Sequence, residues 1–402
     1  MRGAGTISAK APYHWLKGAV PRGKLRQTVA TILSEQLHRS ISVQDLWPEK
    51  QFTTPPRAAN PLVGLASSED VMEAAVTWLL NCPVQQPEST PEASRTELVS
   101  ILRSRVSQLR DFDDGVGGKM TLDWILSDLS WARSLTDGRC VGETVLRELN
   151  ACVSDLARMA GWLMLDQGKH DQSKALLLLS LRKAAVTGRP TMAAHIVSCL
   201  SYVYLWEGDG TQALRLAQVA RRGVEGLPQG RIHAVLASRQ ARAHALLGEL
   251  SHARRCIEEA FRALEEDADD APWGDWITWA VIQGDAGRSW LDAGEPSAAE
   301  RDLRSAVDMM SDKGKRSQLL HLTSIAEAHL DQREVDGAVD TISRALELNQ
   351  HLRSARADQR LRQLRRRFST SSARSLREIF SRMDDQFPST DPAGMASKIA
   401  AG

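Results

Sequence analysis

No charge of one sign dominates the 402 residues: 51 Lys and Arg stand against 50 Asp and Glu, which excludes a polyanion binder that works by bulk charge. Aromatic residues are scarce, 5% of the chain with only three tyrosines. No uncharged apolar run approaches the ~18 residues of a membrane span, and the opening residues lack the apolar stretch of a secretory signal. Cys82, Cys140, Cys152, Cys199 and Cys256 are odd in number, widely spaced and form no C-x-x-C pair. That spacing suits neither a disulfide framework nor a zinc knuckle, so the expected setting is a reducing cytoplasm, with no membrane contact, metal or cofactor. Catalytic signatures are missing as well. The ten histidines include no H-E-x-x-H, and no G-x-S-x-G elbow occurs. The stretch "GVGGKMT" fails as a phosphate loop at Asp113 and Met120, and Asp111, Asp113 and Asp114 fail the calcium-loop order at Val116 and Leu122. The expectation is a protein that is not an enzyme.

What is present is a repeat. The segments "LARMAGWLMLDQGKHDQSKALLLL", "SCLSYVYLWEGDGTQALRLAQVA", "SRQARAHALLGELSHARRCIEEA", "GDAGRSWLDAGEPSAAERDLRSA" and "TSIAEAHLDQREVDGAVDTISRA" each read as two amphipathic helices joined by a short turn. The turn residues Gly168, Gly208, Gly248, Gly294 and Arg333 fall 40, 40, 46 and 39 apart. Seven positions before the turn stand Gly161, Ser201, Ala241, Gly287 and Ala326. Five after it stand Ser173, Ala213, Ala253, Ala299 and Ala338, and twelve after it Ser180, Ala220, Ala260, Ala306 and Ala345. Small side chains in phase let paired helices approach closely, while Met164, Tyr204, Leu177, Ile257 and Leu303 fill the spaces between. The phase resembles that of the tetratricopeptide repeat, with a longer spacing than the usual ~34 residues. The fold class expected is all-α, a tetratricopeptide-like helical-repeat solenoid, in which each unit buries its apolar face against its neighbours and the stack curves around a groove.

If the stack follows that pattern, the groove wall takes the residues one after the first small anchor (Trp162, Tyr202, Arg242, Arg288, Glu327) and three before it (Arg158, Ser198, Ser238, Gly284, Thr323). Arg158, Arg242 and Arg288 beside Trp162 and Tyr202 suit a peptide, protein or acidic small-molecule effector; ordinary surface and packing residues are the alternative. Trp273, Trp276 and Trp279 read as a core stripe, or as an aromatic wall in the groove. Arg353 to Arg367, interspersed with Leu352, Leu361 and Leu364, reads as an amphipathic helix with a solvated basic face.

Both ends are basic: residues 1–50 carry eight Lys and Arg against three Asp and Glu, and residues 352–377 nine Arg against Asp358 alone. Near the N-terminus, "PYHWLKGAVPRG" reads as a short helix capped at Ser8 and stopped at Gly18. A Pro-Arg turn follows, then the helix "KLRQTVATILSEQLHRS", whose buried stripe is Leu25, Val29, Ile32, Leu33 and Leu37.

The order Ser8, Trp15, Gly18, Pro-Arg, helix resembles the second half of the Xre-type helix-turn-helix domain of actinobacterial regulators. Further stretches, "LRDFDDGVGGKMTLDWILSDL", "LARMAGWLMLDQGKHDQSKALLL" and "SARADQRLRQLRRRFS", are similar to those of Streptomyces proteins that join such a domain to tetratricopeptide-like repeats, among them negative regulators of differentiation and antibiotic production. The resemblance implies an operator-binding transcriptional regulator, possible as a homodimer. By position, Ser8, Lys10, Tyr13, His14 and Lys17 would face DNA, with Arg22, Lys24 and Arg26 near phosphates. The supporting first helix and most of the second are absent, and Pro12 stands where a branched apolar residue is usual; an upstream start codon would restore those helices. The expected division is a partial helix-turn-helix over 1–47, a linker with one helix over 48–94, the repeat domain over 95–387 and a disordered tail over 388–402. The competing expectation is a protein-interaction scaffold that never touches DNA.

Overall fold

The computed structural model describes residues 25–37, 43, 66–81, 93–115, 119–136, 142–266, 274–310, 314–352, 355–369 and 373–386. Among them are sixteen α-helices and no strand, and no helix is long and apolar enough to cross a membrane. Contacts divide the chain into two units, Met1–Pro61 and Leu62–Gly402.

The first unit contributes α1 (Leu25–Leu37). Among its described side chains Ala30 is buried, Val29 is half-buried and Ile32 is 47% exposed, while those of Leu25, Leu33 and Leu37 lie outside the described ones. Ile32 therefore leaves the expected stripe: two residues amount to about 200° of helical turn from Ala30, so only one of the pair can face inward.

The second unit begins with α2 (Ser68–Leu80), α3 (Ala93–Gly115) and α4 (Lys119–Thr136). Five helix pairs follow: α5 (Glu143–Asp166) with α6 (His170–Ala184), α7 (Pro190–Glu207) with α8 (Gly210–Arg222), α9 (Arg231–Leu246) with α10 (Leu250–Glu265), α11 (Trp279–Asp292) with α12 (Pro296–Met309), and α13 (Lys315–Asp331) with α14 (Val335–Leu352). Each pair packs internally, and each packs on the next. This is an all-α helical-repeat solenoid. The unit ends with α15 (Ala355–Arg367) and α16 (Arg374–Gln386).

The repeat is set by its turns. Gly168, Gly208, Gly248 and Gly294 have φ between 71° and 79°, and Arg333 has 64°. In each case the residue after the turn donates its N–H to the carbonyl five residues back, at 2.8 to 3.0 Å, in Lys169→Met164, Asp209→Tyr204, Glu249→His244, Glu295→Trp290 and Glu334→His329. This closes the first helix with a left-handed cap and starts the second antiparallel to it.

All fifteen in-phase small positions are buried. A Cβ on Gly161 would stand 2.8 Å from Leu177 Cγ, and one on Gly287 would stand 2.6 Å from Leu303 Cγ, so the helices of these two pairs are closer than an alanine permits. At two of the three in-phase serines the hydroxyl crosses the pair: Ser201 Oγ donates to Ala213 O at 2.8 Å, and Ser180 and its neighbour Ser154 donate to each other's carbonyls at 2.7 and 2.9 Å.

Helix α2, expected within a linker, packs on α6, α8 and α7 as part of the array. Ser67 and Asp70 form a capping box at its start. Trp78, 2% exposed, lies against Gly223, where no Cβ would fit. At the other end, α15 packs on α13 and α16 and also reaches back to α5.

Trp276 and Trp279 do not share a helical stripe. Trp273 is outside the described residues, and Trp276 lies in a 3-10 turn (Gly274–Trp276) with its ring centre 5.4 Å from that of His195. Trp279, 45% exposed, stacks on Phe261 at 5.5 Å. Extended Thr278 caps α11 between them and breaks the helical register.

Candidate ligand site on the inner face of the array

The first helices of the pairs, α5, α7, α9, α11 and α13, present the inner face. Residues four apart on a helix share a side, so Trp162 and Asp166 on α5, Tyr202 and Trp206 on α7, and Arg288 and Asp292 on α11 point together. Trp162 stacks on Tyr202 with ring centres 5.2 Å apart, and Trp206 meets Tyr202 edge-on at 6.1 Å. Guanidinium groups gather on these rings. The Arg239 guanidinium carbon is 4.4 Å from the Tyr202 ring centre; those of Arg356, Arg242, Arg360 and Arg288 are 5.4, 5.5, 5.6 and 5.9 Å from the centre of Trp206.

Arg239, Arg242, Arg288 and Arg356 are each 4–6% exposed, and a buried guanidinium needs a partner. Arg239 is paired with Asp285, which also accepts from Ser238 Oγ at 3.1 Å. Arg242 Nε donates to Asp292 at 2.6 Å, Arg356 Nη2 lies 2.5 Å from Asp166, and Arg360 Nη2 donates to Glu327 at 2.7 Å. Arg288 differs. Its Nη1 donates to the Tyr202 hydroxyl at 2.9 Å, and its Nη2 lies 3.3 Å from His321 Nδ1, so its hydrogen-bond partners are neutral groups.

Burial, reinforced by Arg288, pushes His321 down to about 3, so the ring is neutral and its Nδ1 can accept a hydrogen bond from Arg288 Nη2. For Asp285, burial works upward, but the charges of Arg239 and Arg288 outweigh it and hold the carboxyl below its usual range. In Tyr202, too, burial works upward and is overcome by Arg288, Arg356 and Arg242, which bring the phenol down to about 8. Both acids report a surplus of positive charge.

Of the groove residues expected from sequence, Trp162, Tyr202, Arg242 and Arg288 meet here. Arg158 instead pairs with Asp155 at 3.3 Å and joins none of the ring contacts found among the described residues. Ser198, Ser238 and Thr323 turn their hydroxyls back to carbonyls three residues earlier on their own helices, at 2.7 to 2.8 Å; of the three, Ser238 also reaches the site, through Asp285. Trp206, Asp166 and Asp292 were legible as residues four beyond named ones, and Asp285 as the one three before Arg288. Arg356 carried no such signal. The Arg-rich helix was expected to have a solvated basic face, yet α15 lies across the inner face with Arg356 buried, because Asp166 on α5 and Glu327 on α13 bind its arginines. Its later residues Arg362, Arg366 and Arg367 remain exposed.

Ser8, Lys10, Tyr13, His14, Lys17, Arg22 and Lys24 lie outside the described residues, and Arg26 sits in the first turn of α1. Residues 7–46 match the family described as the SP15 N-terminal domain. The match covers the segment that resembles a helix-turn-helix, including α1, and none of the repeat array. No curated protein matches the chain.

Two other places hold polar groups together. Glu300, His329 and Glu334 lie within ligand distance of one another, but Arg304 bonds both Glu300 (2.7 Å) and His329 Nε2 (2.9 Å), so a cation is already in place there. On the outer surface, a cleft of about 650 Å³ between α8, α9 and α10 is lined by Arg221, His233, His244 and Glu259 among others. Of its three arginines, Arg221 is bound by Glu259 and Gln240, and Arg222 pairs with Glu225.

Proposed function

We propose that the chain is a DNA-binding transcriptional regulator whose repeat array binds a regulatory ligand on its inner face. The observation that carries the ligand half is the meeting of Tyr202, Trp206, Arg242 and Arg288, from three successive pairs, at one buried point. The DNA half rests on the basic N-terminal segment and its likeness to Xre-type domains, whose known members suggest control of development or secondary metabolism. In this reading the protein acts in the cytoplasm, where its buried thiols Cys152, Cys199 and Cys256 stay reduced, and it binds its operator as a homodimer with half-sites one helical turn apart. A ligand that prefers one curvature of the array shifts the population of DNA-competent dimers by its difference in affinity between the two states.

The test is a gel shift with DNA from upstream of the protein's own gene, over a salt series. Specific retardation that weakens with salt, and that Lys17→Ala with Arg22→Ala reduces by at least about tenfold, supports the regulator. Absence of retardation at low salt refutes DNA binding by this chain and leaves the scaffold reading.

A further inference from the structure

We infer that the inner face of the array holds a small oxyanion, a phosphate or carboxylate group, gripped by Arg242 and Arg288 from the repeats and Arg356 from α15, with the Trp206 indole N–H as a further donor. This deepens the reading above by naming the class of ligand, and it rests on that reading only for the ligand's regulatory meaning.

The first argument is unmet donors. Arg242 Nη1, Arg288 Nε, Arg356 Nε and Nη1, and Trp206 Nε1 are buried and make no hydrogen bond among the described residues, against one unpartnered acceptor nearby, Asp166 Oδ1, 2.5 Å from Arg356 Nη2. Three of these side chains are at least nine-tenths buried, and their guanidinium carbons lie 5.4 to 5.9 Å from one ring centre. Buried polar groups are otherwise almost always paired, so several orphan donors around one indole mark a place built for an acceptor.

The second argument is charge. Arg239, Arg242, Arg356 and Arg360 each have a carboxylate, whereas Arg288 has a phenol and a neutral imidazole. Tyr202 is the internal candidate for the missing counter-charge, but with its phenol at about 8 it keeps its proton at neutral pH. One positive charge thus stays uncompensated in a dry setting, where an anion is worth far more than at the surface. Guanidinium forks suit the two-oxygen face of a carboxylate or phosphate. An ion held here joins α7, α9 and α11 to α15.

The experiment uses the full chain. Thermal melts are recorded in rising inorganic phosphate, in citrate, and in chloride at matched ionic strength, and Tyr202 is titrated by tyrosinate absorbance with Tyr202→Phe as the blank. The proposal expects a saturable rise in melting temperature that chloride does not reproduce, and a Tyr202 titration moved upward from about 8 as the ion offsets the arginines. Response to phosphate alone supports a phosphoryl ligand; response to citrate alone supports a carboxylate. Arg288→Gln should weaken binding at least tenfold, and Trp206→Phe, which keeps an aromatic ring and loses the N–H, severalfold. Arg222→Gln on the exposed surface should leave binding unchanged. If Arg288→Gln does not fold, Trp206→Phe decides. A wild-type chain that responds to neither ion beyond chloride overturns the proposal, as does binding that survives both inner-face substitutions. These readouts involve no DNA, so a failed gel shift and a failed anion titration are separate results.

Discussion

Among the described residues, Arg333 alone lacks glycine's freedom at a left-handed turn, with φ at 64° on an exposed site where the other four turns place Gly. A side chain in that conformation costs roughly 1–2 kcal/mol, part of it offset by glycine's greater unfolded entropy. Arg333→Gly is therefore expected to raise stability to urea by up to about 1 kcal/mol, and Gly294→Ala to lower it by about 1 kcal/mol; equal and null effects would contradict the shared turn geometry. His321 gives a pH prediction. Its folded value of about 3 lies below the unfolded ~6.5, so the stability from keeping it neutral is complete above about pH 6.5. That stability is lost as pH falls toward about 3, at up to about 1.4 kcal/mol per pH unit. Denaturant melts at about pH 7, 5.5 and 4.5 should show His321→Gln removing roughly one proton's worth of the acid slope, and an unchanged slope would refute it. At this scale the sequence was readable wherever a residue answers to its own helix. Tyr202 and Arg288 could be placed from their distance to the small anchors. What Arg288 bonds depends on His321 from the next pair, a relation no spacing along the chain records.

Helix α2 shows what a single element can hide. Its composition marks an amphipathic helix, and the Pro- and Ser-containing stretches around it suggested a linker. Its destination is decided by Trp78, for which Gly223, at the C-cap of α8, leaves room, and by Tyr204, whose hydroxyl donates to Ser68 Oγ at 2.9 Å. Trp78→Ala is expected to cost about 3–5 kcal/mol in the unfolding of the array, and limited proteolysis should then cut within 66–81 before any repeat. If cleavage there is no faster than in the unaltered chain, α2 is not held by that indole. The five pairs were legible as elements because turn, anchor and spacer recur in phase. Helix α15 was legible as a helix but not as an inner one, since its basic face matches a solvated surface just as well until Asp166 and Glu327 are known to lie opposite.

A stack of repeats normally couples each unit only to its neighbours, and can then unfold from its ends. Here α15 ties the first pair to the last: Arg356 binds Asp166 on α5, Arg360 and Arg367 bind Glu327 on α13, and Arg316 on α13 lies 3.5 Å from Asp166. Helical circular dichroism and tryptophan fluorescence should therefore report one coincident urea transition. Asp166→Asn, which leaves Arg356 buried without its carboxylate, should lower the midpoint by the equivalent of about 3–5 kcal/mol and separate the two probes. Non-coincident curves in the unaltered chain would show that the ends act independently. Because α15 lies across the inner face of the pairs, a ligand bound there is expected to wait for that helix to swing aside. Its capture rate should therefore level off as solute concentration climbs, and its escape should be slow, so that the complex keeps a memory of past exposure well after the surrounding supply has gone.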